Sequence, residues 1–249
     1  MLRLLPSLRL GIPSPSLLLL LFSEVLFSAL PLLISGASFS SMTDCNYSLT
    51  DDTTGSIVAT YDVSSLRNDY GMYALTDSYT VSEKSGGTAS YSYSYMFNIC
   101  KNVSSDDLFA NCSAPVAGAY QVNGADSQFC QSLGSLDDAT FMLLSEYNGM
   151  SFDPSLGVVL TYTGGDVCGI TGQPRVTRIV IECSNSENIP DDEEMEEQHR
   201  QCEYVLQLPS KAGCPLQCPL GGLNRDLCSG RGVCGYDKVS TEVRLVSYG

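Results

Sequence analysis

Apolar and polar residues alternate with a period of two along much of the chain beyond residue 38. Because successive side chains of a strand point to opposite faces of a sheet, this alternation predicts short, half-buried β-strands. Strands are expected at 56–61, 78–82, 89–100, 114–121, 140–144, 157–163, 174–183 and 202–208. Roughly six to nine short strands separated by turn residues are typical of a β-sandwich or a flattened β-barrel. The sequence therefore predicts an all-β fold.

Two segments add detail to this pattern. The pair Gly86–Gly87 lies between two of the predicted strands and indicates a β-hairpin. Tyr91, Tyr93 and Tyr95 share one face of the second strand, which could stack on sugar rings, although packing against a neighbouring sheet is favoured. The segment 191–201 has helix-friendly composition, but the like charges of 191–197 repel at helical spacing, so a solvated acidic loop is predicted at 191–197.

Residues 1–37 have the composition of a cleaved signal peptide. Arg3 and Arg9 form a positive start, apolar runs follow, and small residues precede a predicted cleavage before Ser38. Because Glu24 and several Ser and Pro residues interrupt the apolar runs, a transmembrane anchor is the less favoured interpretation. The remaining chain is expected in the lumen of the secretory pathway or outside the cell.

The cysteines and glycosylation motifs agree with export. Eleven cysteines in an exported chain indicate disulfides rather than zinc ligands, and the odd number leaves one thiol unpaired. N-glycosylation is predicted at Asn46 and Asn102, whereas the motif at Asn111, with a cysteine in its middle, is a poorer acceptor.

Charge and motif content exclude several classes of function. With 28 acidic and 13 basic residues the net charge is −15, which disfavours nucleic acid and anionic membranes as partners. His199 is the only histidine, and the chain contains neither a G-x-S-x-G elbow nor a phosphate-binding glycine loop. We therefore expect a non-enzymatic protein without a metal or cofactor.

The segment from Gly157 to Cys214 contains G-V-V-L-T-Y-T-G-G-D-V-C, then R-V-T-R-I-V-I-E-C, then C-E-Y and a final C-P. With these motifs it resembles the C-terminal half of the mannose 6-phosphate receptor homology (MRH) domain family. Residues 62–66 and 95–100 are similar to the D-L-S-x-L and Y-x-x-N-x-C segments of the large receptor's repeats. The resemblance covers about residues 43–215 and implies a lectin domain at 38–215. Its implied fold is a disulfide-stapled, flattened β-barrel of two orthogonal antiparallel sheets.

The resemblance also implies a disulfide pattern. The implied pairs are Cys45–Cys100, Cys112–Cys130, Cys168–Cys202 and Cys183–Cys214. Residues 216–249 form a small cysteine-rich appendage, in which 218–234 resembles the first half of an EGF-like module and the end is expected to be unstructured. Because three of the six cysteines of such a module are present, a stalk and membrane anchor are expected downstream in a longer form.

The family binds mannose through a glutamine, an arginine, a glutamate and a tyrosine. By resemblance these are Gln121, Arg175 and Tyr204, with Glu197 as the first choice for the glutamate. The alternatives for the glutamate position are Glu194, Glu196 and, less favoured, Glu203, while Gln198 and His199 occupy places used in some members. Amide, guanidinium, carboxylate and phenol groups together match the mixed donors and acceptors of sugar hydroxyls.

The resemblance implies a lectin that reads mannose or mannose 6-phosphate on N-glycans for glycoprotein sorting or quality control. The loop after Gly164–Gly165–Asp166 is closed almost at once by Cys168, which argues against a metal-assisted phosphate site. Two alternatives remain, both on the same fold. One is a trafficking or autophagy-related protein that has lost sugar binding, and the other is a non-catalytic subunit of a glycan-processing enzyme.

Overall fold

The computed structural model describes residues 45–82, 88–103, 116–123, 129–186, 195–198, 202–218, 220–221, 226–227 and 232–247. Strands dominate these ranges, as the alternating pattern predicts. In chain order the strands are β1 Asn46–Thr50, β2 Ile57–Asp62, β3 Tyr73–Ser82, β4 Thr88–Phe97, β5 Ala119–Asn123, β6 Cys130–Leu143, β7 Gly157–Thr163, β8 Val176–Cys183, β9 Met195–Gln198, β10 Glu203–Ser210, β11 Leu220–Gly221, β12 Asp226–Leu227, β13 Gly232–Asp237 and β14 Glu242–Ser247. One short α-helix, α1 (Leu144–Tyr147), follows β6, and 3₁₀ turns lie at Ser64–Leu66 and Lys211–Gly213.

Eight strands form one curled sheet in the order β3-β4-β5-β6-β7-β8-β10-β9. Strand β6 is long and irregular between Ser135 and Thr140, so its first part pairs with β5 and its second part with β7. The sheet curls into a half-barrel, and its two edge strands, β3 and β9, approach each other. The predicted all-β, disulfide-stapled fold is confirmed, with the bent β6 joining its two halves into one continuous sheet.

Strand β10 departs from the antiparallel pairing implied by the resemblance. It runs parallel to β8, with Glu203 opposite Val176 and Ser210 opposite Cys183. A parallel pair needs a long connection to return the chain to the same end of the sheet. Residues 184–202 supply that connection and include β9, which pairs antiparallel with β10. The prediction of an acidic loop at 191–197 is therefore wrong for residues 195–197, which belong to β9, where backbone pairing to β10 at a sheet edge outweighs composition. Residues 191–194 lie outside the described residues.

Aromatic side chains fill the interior of the curled sheet. The rings of Tyr47 and Phe141 stack with their centroids 4.0 Å apart, and Tyr61 lies 5.1 Å from Tyr47. Tyr95 is completely buried, which confirms at this position that the tyrosine face of β4 packs inward. The ring of Tyr162 covers Gly118, where an added Cβ would lie 2.9 Å from the ring, so a side chain at that glycine would clash.

Disulfides join segments that are distant in sequence. Three pairs implied by the resemblance are present, Cys45–Cys100, Cys168–Cys202 and Cys183–Cys214, and a fourth joins Cys218 to Cys234. Cys130 is also disulfide-bonded, whereas its implied partner Cys112 lies outside the described residues. Disulfides of this number indicate an oxidising, secretory or extracellular environment. Within the described ranges, no helix has the length and apolar character needed to span a membrane.

The C-terminal segment contains a hairpin, so the prediction of an unstructured end from Lys238 onward is wrong for the described residues 238–247. Strands β13 and β14 pair with Val233 opposite Val246 and Tyr236 opposite Val243. Val243 is buried in the main core, and the Tyr236 ring packs edge-on against Phe152 at 5.3 Å. Val243 is buried and Arg244 is exposed, as expected because neighbouring residues of a strand point to opposite faces.

Candidate functional site

Three of the four residues implied as sugar ligands meet inside the curled sheet. The Tyr204 hydroxyl accepts a hydrogen bond from Arg175 Nη1 and donates one of 3.3 Å to Gln121 Oε1. Tyr204 has no exposed surface, Gln121 is 3% exposed and Arg175 is partly buried. A guanidinium, a phenol and an amide thus form a continuous polar chain in a largely apolar interior.

Tyr95 extends this polar chain and was not recognised from the sequence as part of the site. It lies directly opposite Gln121 in the β4–β5 pair, and Gln121 Nε2 donates a hydrogen bond of 3.3 Å to its hydroxyl. Its ring centroid is 5.8 Å from that of Tyr204. Because Nε2 is held by Tyr95, the Oε1 atom of Gln121 is turned toward Tyr204. The alternating tyrosines of β4 indicated from the sequence that Tyr95 faces inward, but they could not show that Gln121 lies opposite Tyr95.

The Gly164–Gly165–Asp166 turn fixes the backbone of Arg175. Arg175 N–H donates to Asp166 O at 3.0 Å, and Gly165 N–H donates to Arg175 O at 3.2 Å. Asp166 is anchored to Ser132 of β6 by bonds of 2.8 Å from its N–H and 2.7 Å to its Oδ2. A Cβ at Gly165 would lie 2.7 Å from Ser132 O and 2.8 Å from Arg175 O, which explains why glycine occurs there.

The connection between this turn and β8 is short and closed, as its sequence predicts. Val167 and Pro174 form a β-bridge, and Cys168 N–H donates to Gln173 O at 2.8 Å. Cys168 is bonded to Cys202, two residues before Tyr204. The disulfide therefore links the short connection between the Gly164–Gly165–Asp166 turn and Arg175 to the residue that precedes β10, the strand of Tyr204.

Within the described part of the chain, one donor of Arg175 has no hydrogen-bond partner. Its Nε atom is buried and makes no hydrogen bond with any residue that the structure describes. An unsatisfied buried donor costs about 1–3 kcal/mol, and such groups in native structures call for an explanation such as a bound ligand or water. Nε and the adjoining polar chain can together offer donors and acceptors to a hydroxylated ligand.

Backbone register distinguishes the candidates for the acidic ligand. Glu197 is the register partner of Tyr204, Glu196 that of Val205, and Gln198 that of Glu203. Residues directly opposite in an antiparallel pair lie on the same face of the sheet. Glu197 is therefore the candidate in β9 placed on the Tyr204 face. Glu194 and His199 lie outside the described residues, and the side chains of 195–198 are not among those described.

The Glu203 carboxylate is paired on the face of β10 opposite Tyr204. It forms a salt bridge with Arg178, which also donates to Thr161 Oγ1 at 3.2 Å and lies 5.5 Å from the Tyr147 ring centroid. Neighbouring residues of a strand point to opposite faces, so Glu203 and Tyr204 are on opposite sides of β10. The Glu203 carboxylate therefore lies on the other side of β10 from Arg175 and Gln121.

The remaining predicted sites have distinct surroundings. Asn46 is exposed on β1, and the partly buried Asn102 accepts a hydrogen bond of 3.2 Å from Leu136 N–H through Oδ1. Asn111 lies outside the described residues. In the part of the chain that the structure describes, no group of three or more potential ligands could hold a metal ion.

Comparison of the chain with protein-family models and with curated proteins finds no match. The residues and geometry described above are therefore the basis on which a function can be assigned.

Proposed function

We propose that this chain is a non-enzymatic lectin of the secretory pathway that binds mannose-type sugars through Gln121, Arg175, Tyr204 and Glu197. The observation that carries the proposal is the hydrogen-bonded chain from Arg175 through Tyr204 to Gln121. These residues come from three separate stretches of sequence, with Gln121 on β5, Arg175 immediately before β8 and Tyr204 on β10. The resemblance to the MRH family also selects the same three residues.

Sugar hydroxyls match the chemistry of this cluster. Each hydroxyl can donate one hydrogen bond and accept others, while Arg175 only donates and Gln121 does both. A sugar entering the site would replace the contact between Arg175 and Tyr204 with bonds to its own hydroxyls. It would also satisfy the buried Arg175 Nε atom. A glutamate at position 197, opposite Tyr204, would add a charged acceptor for further hydroxyls.

The short turn beside Arg175 bears on whether phosphate is part of the ligand. The bridge between Val167 and Pro174 closes the loop immediately after Asp166. A net charge of −15 also opposes binding of an anion unless a local cation offsets it. Both features support recognition of mannose itself, on N-glycans of proteins being sorted or checked for folding, over a requirement for mannose 6-phosphate.

The test is a glycan array probed with the secreted, oxidised protein. Wild-type protein is expected to bind mannose-terminated or phosphomannose glycans, and Arg175→Ala and Tyr204→Phe are expected to abolish that binding with unchanged circular dichroism. Matched controls are Arg244→Ala, whose side chain is 62% exposed in the C-terminal hairpin, and Tyr70→Phe, which is fully exposed. Equal binding by wild type and both site variants would refute the site.

A second function on the same fold is a trafficking protein that does not bind sugar. The burial of Tyr204 and Gln121 favours it, because their polar groups already bond to one another and could serve stability alone. Under this alternative no glycan on the array binds, while Tyr204→Phe lowers the free energy of unfolding. Comparing binding and unfolding in the same variants therefore separates the two functions.

A further inference from the structure

A second candidate site lies at the far end of β8 from Arg175. A cavity of about 480 Å³ is bounded by the region from α1 to β7, the end of β8 and the start of β13. Arg175 immediately precedes β8, and Glu182 lies seven residues further along near its end, which corresponds to roughly 23 Å in extended backbone. A ligand in this cavity would therefore not touch the residues proposed to bind sugar. Its volume falls within the range of about 300–1,000 Å³ that is usual for ligand pockets.

Two disulfides hold the walls of this cavity in place. Cys183 lines one wall and is bonded to Cys214, and Cys234 lines another and is bonded to Cys218. Both disulfides thus end in the short segment from Cys214 to Cys218. That segment is itself fixed to β2, since Leu216 N–H donates to Thr60 O at 2.7 Å. The cavity is consequently preformed, which lowers the entropic cost of binding.

The lining of the cavity combines apolar surface with two available polar side chains. Leu144, Leu156 and Val233 supply apolar contacts. Glu182 and Asn148 also line it, and within the described part of the chain neither side chain has a hydrogen bond or ion pair. Among the described residues that line the cavity, Glu182 is the only charged one. This arrangement suits a ligand that has an apolar body and one cationic donor group.

The apolar surface continues beyond the cavity onto the C-terminal hairpin. Met150 and Val233 line the cavity and are 56% and 46% exposed, and Val246, directly opposite Val233 in register, is 49% exposed. A small molecule confined to the cavity would leave Val246 uncovered, whereas an extended peptide would cover it. Exposed apolar side chains next to a pocket are a feature of protein-binding surfaces. The net charge of −15 would also accelerate association with a basic partner.

We propose that this cavity docks a partner protein through a peptide segment in which a lysine or arginine is flanked by apolar residues. The basic side chain would bind Glu182 and Asn148. Its apolar neighbours would cover Val233 and Val246. Peptide binding in this cavity does not require sugar binding, so it can be tested independently of the proposed lectin function.

The experiment is selection of a random phage-displayed peptide library on the oxidised full-length protein, with counter-selection on Glu182→Gln. The affinities of enriched synthetic peptides are then measured by fluorescence anisotropy. The selected peptides should contain a lysine or arginine beside apolar residues. Glu182→Gln should weaken binding by about tenfold, as expected for loss of a charge-assisted hydrogen bond. Val233→Ser should weaken it as well, through loss of apolar contact.

Two control variants test whether the loss of peptide binding is specific to the cavity. Glu242→Gln removes an exposed carboxylate of the same hairpin that does not line the cavity, and Arg175→Ala alters only the proposed sugar site, so both should bind the peptides normally. The proposal is overturned if no peptide prefers wild type over Glu182→Gln. It is also overturned if hexylamine alone competes as strongly as the peptides, because the occupant would then be a small organic cation.

Discussion

The Tyr204 hydroxyl donates a 3.3 Å hydrogen bond to Gln121 Oε1, and the two residues are 83 positions apart in the chain. Tyr204 belongs to β10 and Gln121 to β5, and three strands separate these two in the order of the sheet. The bond therefore crosses the interior of the curled sheet rather than joining neighbours within it. Any ligand that contacts both residues must reach the inside of the half-barrel, where its hydrogen bonds would be shielded from water.

Tyr95→Phe should weaken sugar binding without preventing it. The substitution keeps the ring that packs against Tyr204 but removes the hydroxyl that accepts from Gln121 Nε2, so the Gln121 amide loses its fixed orientation. Loss of one neutral hydrogen bond predicts an affinity decrease of about two- to tenfold. Isothermal titration with a mannose oligosaccharide measures it. Tyr93→Phe, two residues away in β4, is the matched control, and equal losses in both variants would contradict a specific role for Tyr95.

Glu197→Gln should reduce sugar binding by about tenfold or more, because a charged acceptor is lost from the face that carries Tyr204. Glu196→Gln should have little effect, since its register partner is Val205 and it lies on the other face. Surface plasmon resonance on immobilised high-mannose glycoprotein compares the two variants directly. A larger loss in Glu196→Gln would show that the acidic ligand has been assigned to the wrong face.

Sequence reasoning succeeded for features that depend on residues close together in the chain. Strands β2, β7 and β8 lie close to the predicted strands, because short runs rich in β-branched and aromatic residues between turn residues are a local signal for strands. The resemblance correctly implied three disulfides and brought attention to Gln121, Arg175 and Tyr204. The turn at Gly165 also matches its motif, because only glycine fits between two backbones at that point.

Features that depend on distant partners could not be predicted in this way. The four-residue strand β9 has a composition that disfavours order, and it exists because it pairs with β10. The parallel pairing of β8 and β10 likewise depends on how a 19-residue connection, from 184 to 202, returns the chain. The role of Tyr95 requires knowing that β4 and β5 are neighbours in a particular register. Tertiary context, which one sequence does not contain, decides all three.

Removing the Cys168–Cys202 disulfide should affect both stability and the site. Replacing both cysteines by serine frees a loop of 34 residues and is expected to lower the free energy of unfolding by about 3–4 kcal/mol. Sugar affinity should fall as well, because the disulfide ties the Arg175 turn to the start of β10. Urea denaturation and titration with mannose oligosaccharide measure the two effects. The matched Cys218→Ser/Cys234→Ser variant should keep its sugar affinity, and a similar loss there would indicate general destabilisation.

The buried tyrosines should make the fold sensitive to alkaline pH. Burial raises the pKa of Tyr61 and of Tyr162 well above the usual value, with a smaller contribution from Asp153 at Tyr61. Their phenols therefore remain protonated in the folded state, whereas in the unfolded chain they ionise near pH 10. Because the folded state then binds more protons, this stabilisation is fully present below about pH 10 and is lost as pH rises above it. Urea denaturation at neutral and alkaline pH should show the decrease.

Tyr162→Phe separates this effect from general alkaline damage. The Tyr162 hydroxyl donates to Asn98 O at 2.8 Å and accepts from Cys100 N–H at 3.0 Å, so its removal should cost about 1–3 kcal/mol at neutral pH. Above about pH 10 the variant should lose less additional stability than wild type, because one group with a raised pKa is absent. The exposed Tyr70→Phe should behave as wild type at both pH values. An identical alkaline decrease in wild type and Tyr162→Phe would show that ionisation of this phenol does not drive the loss.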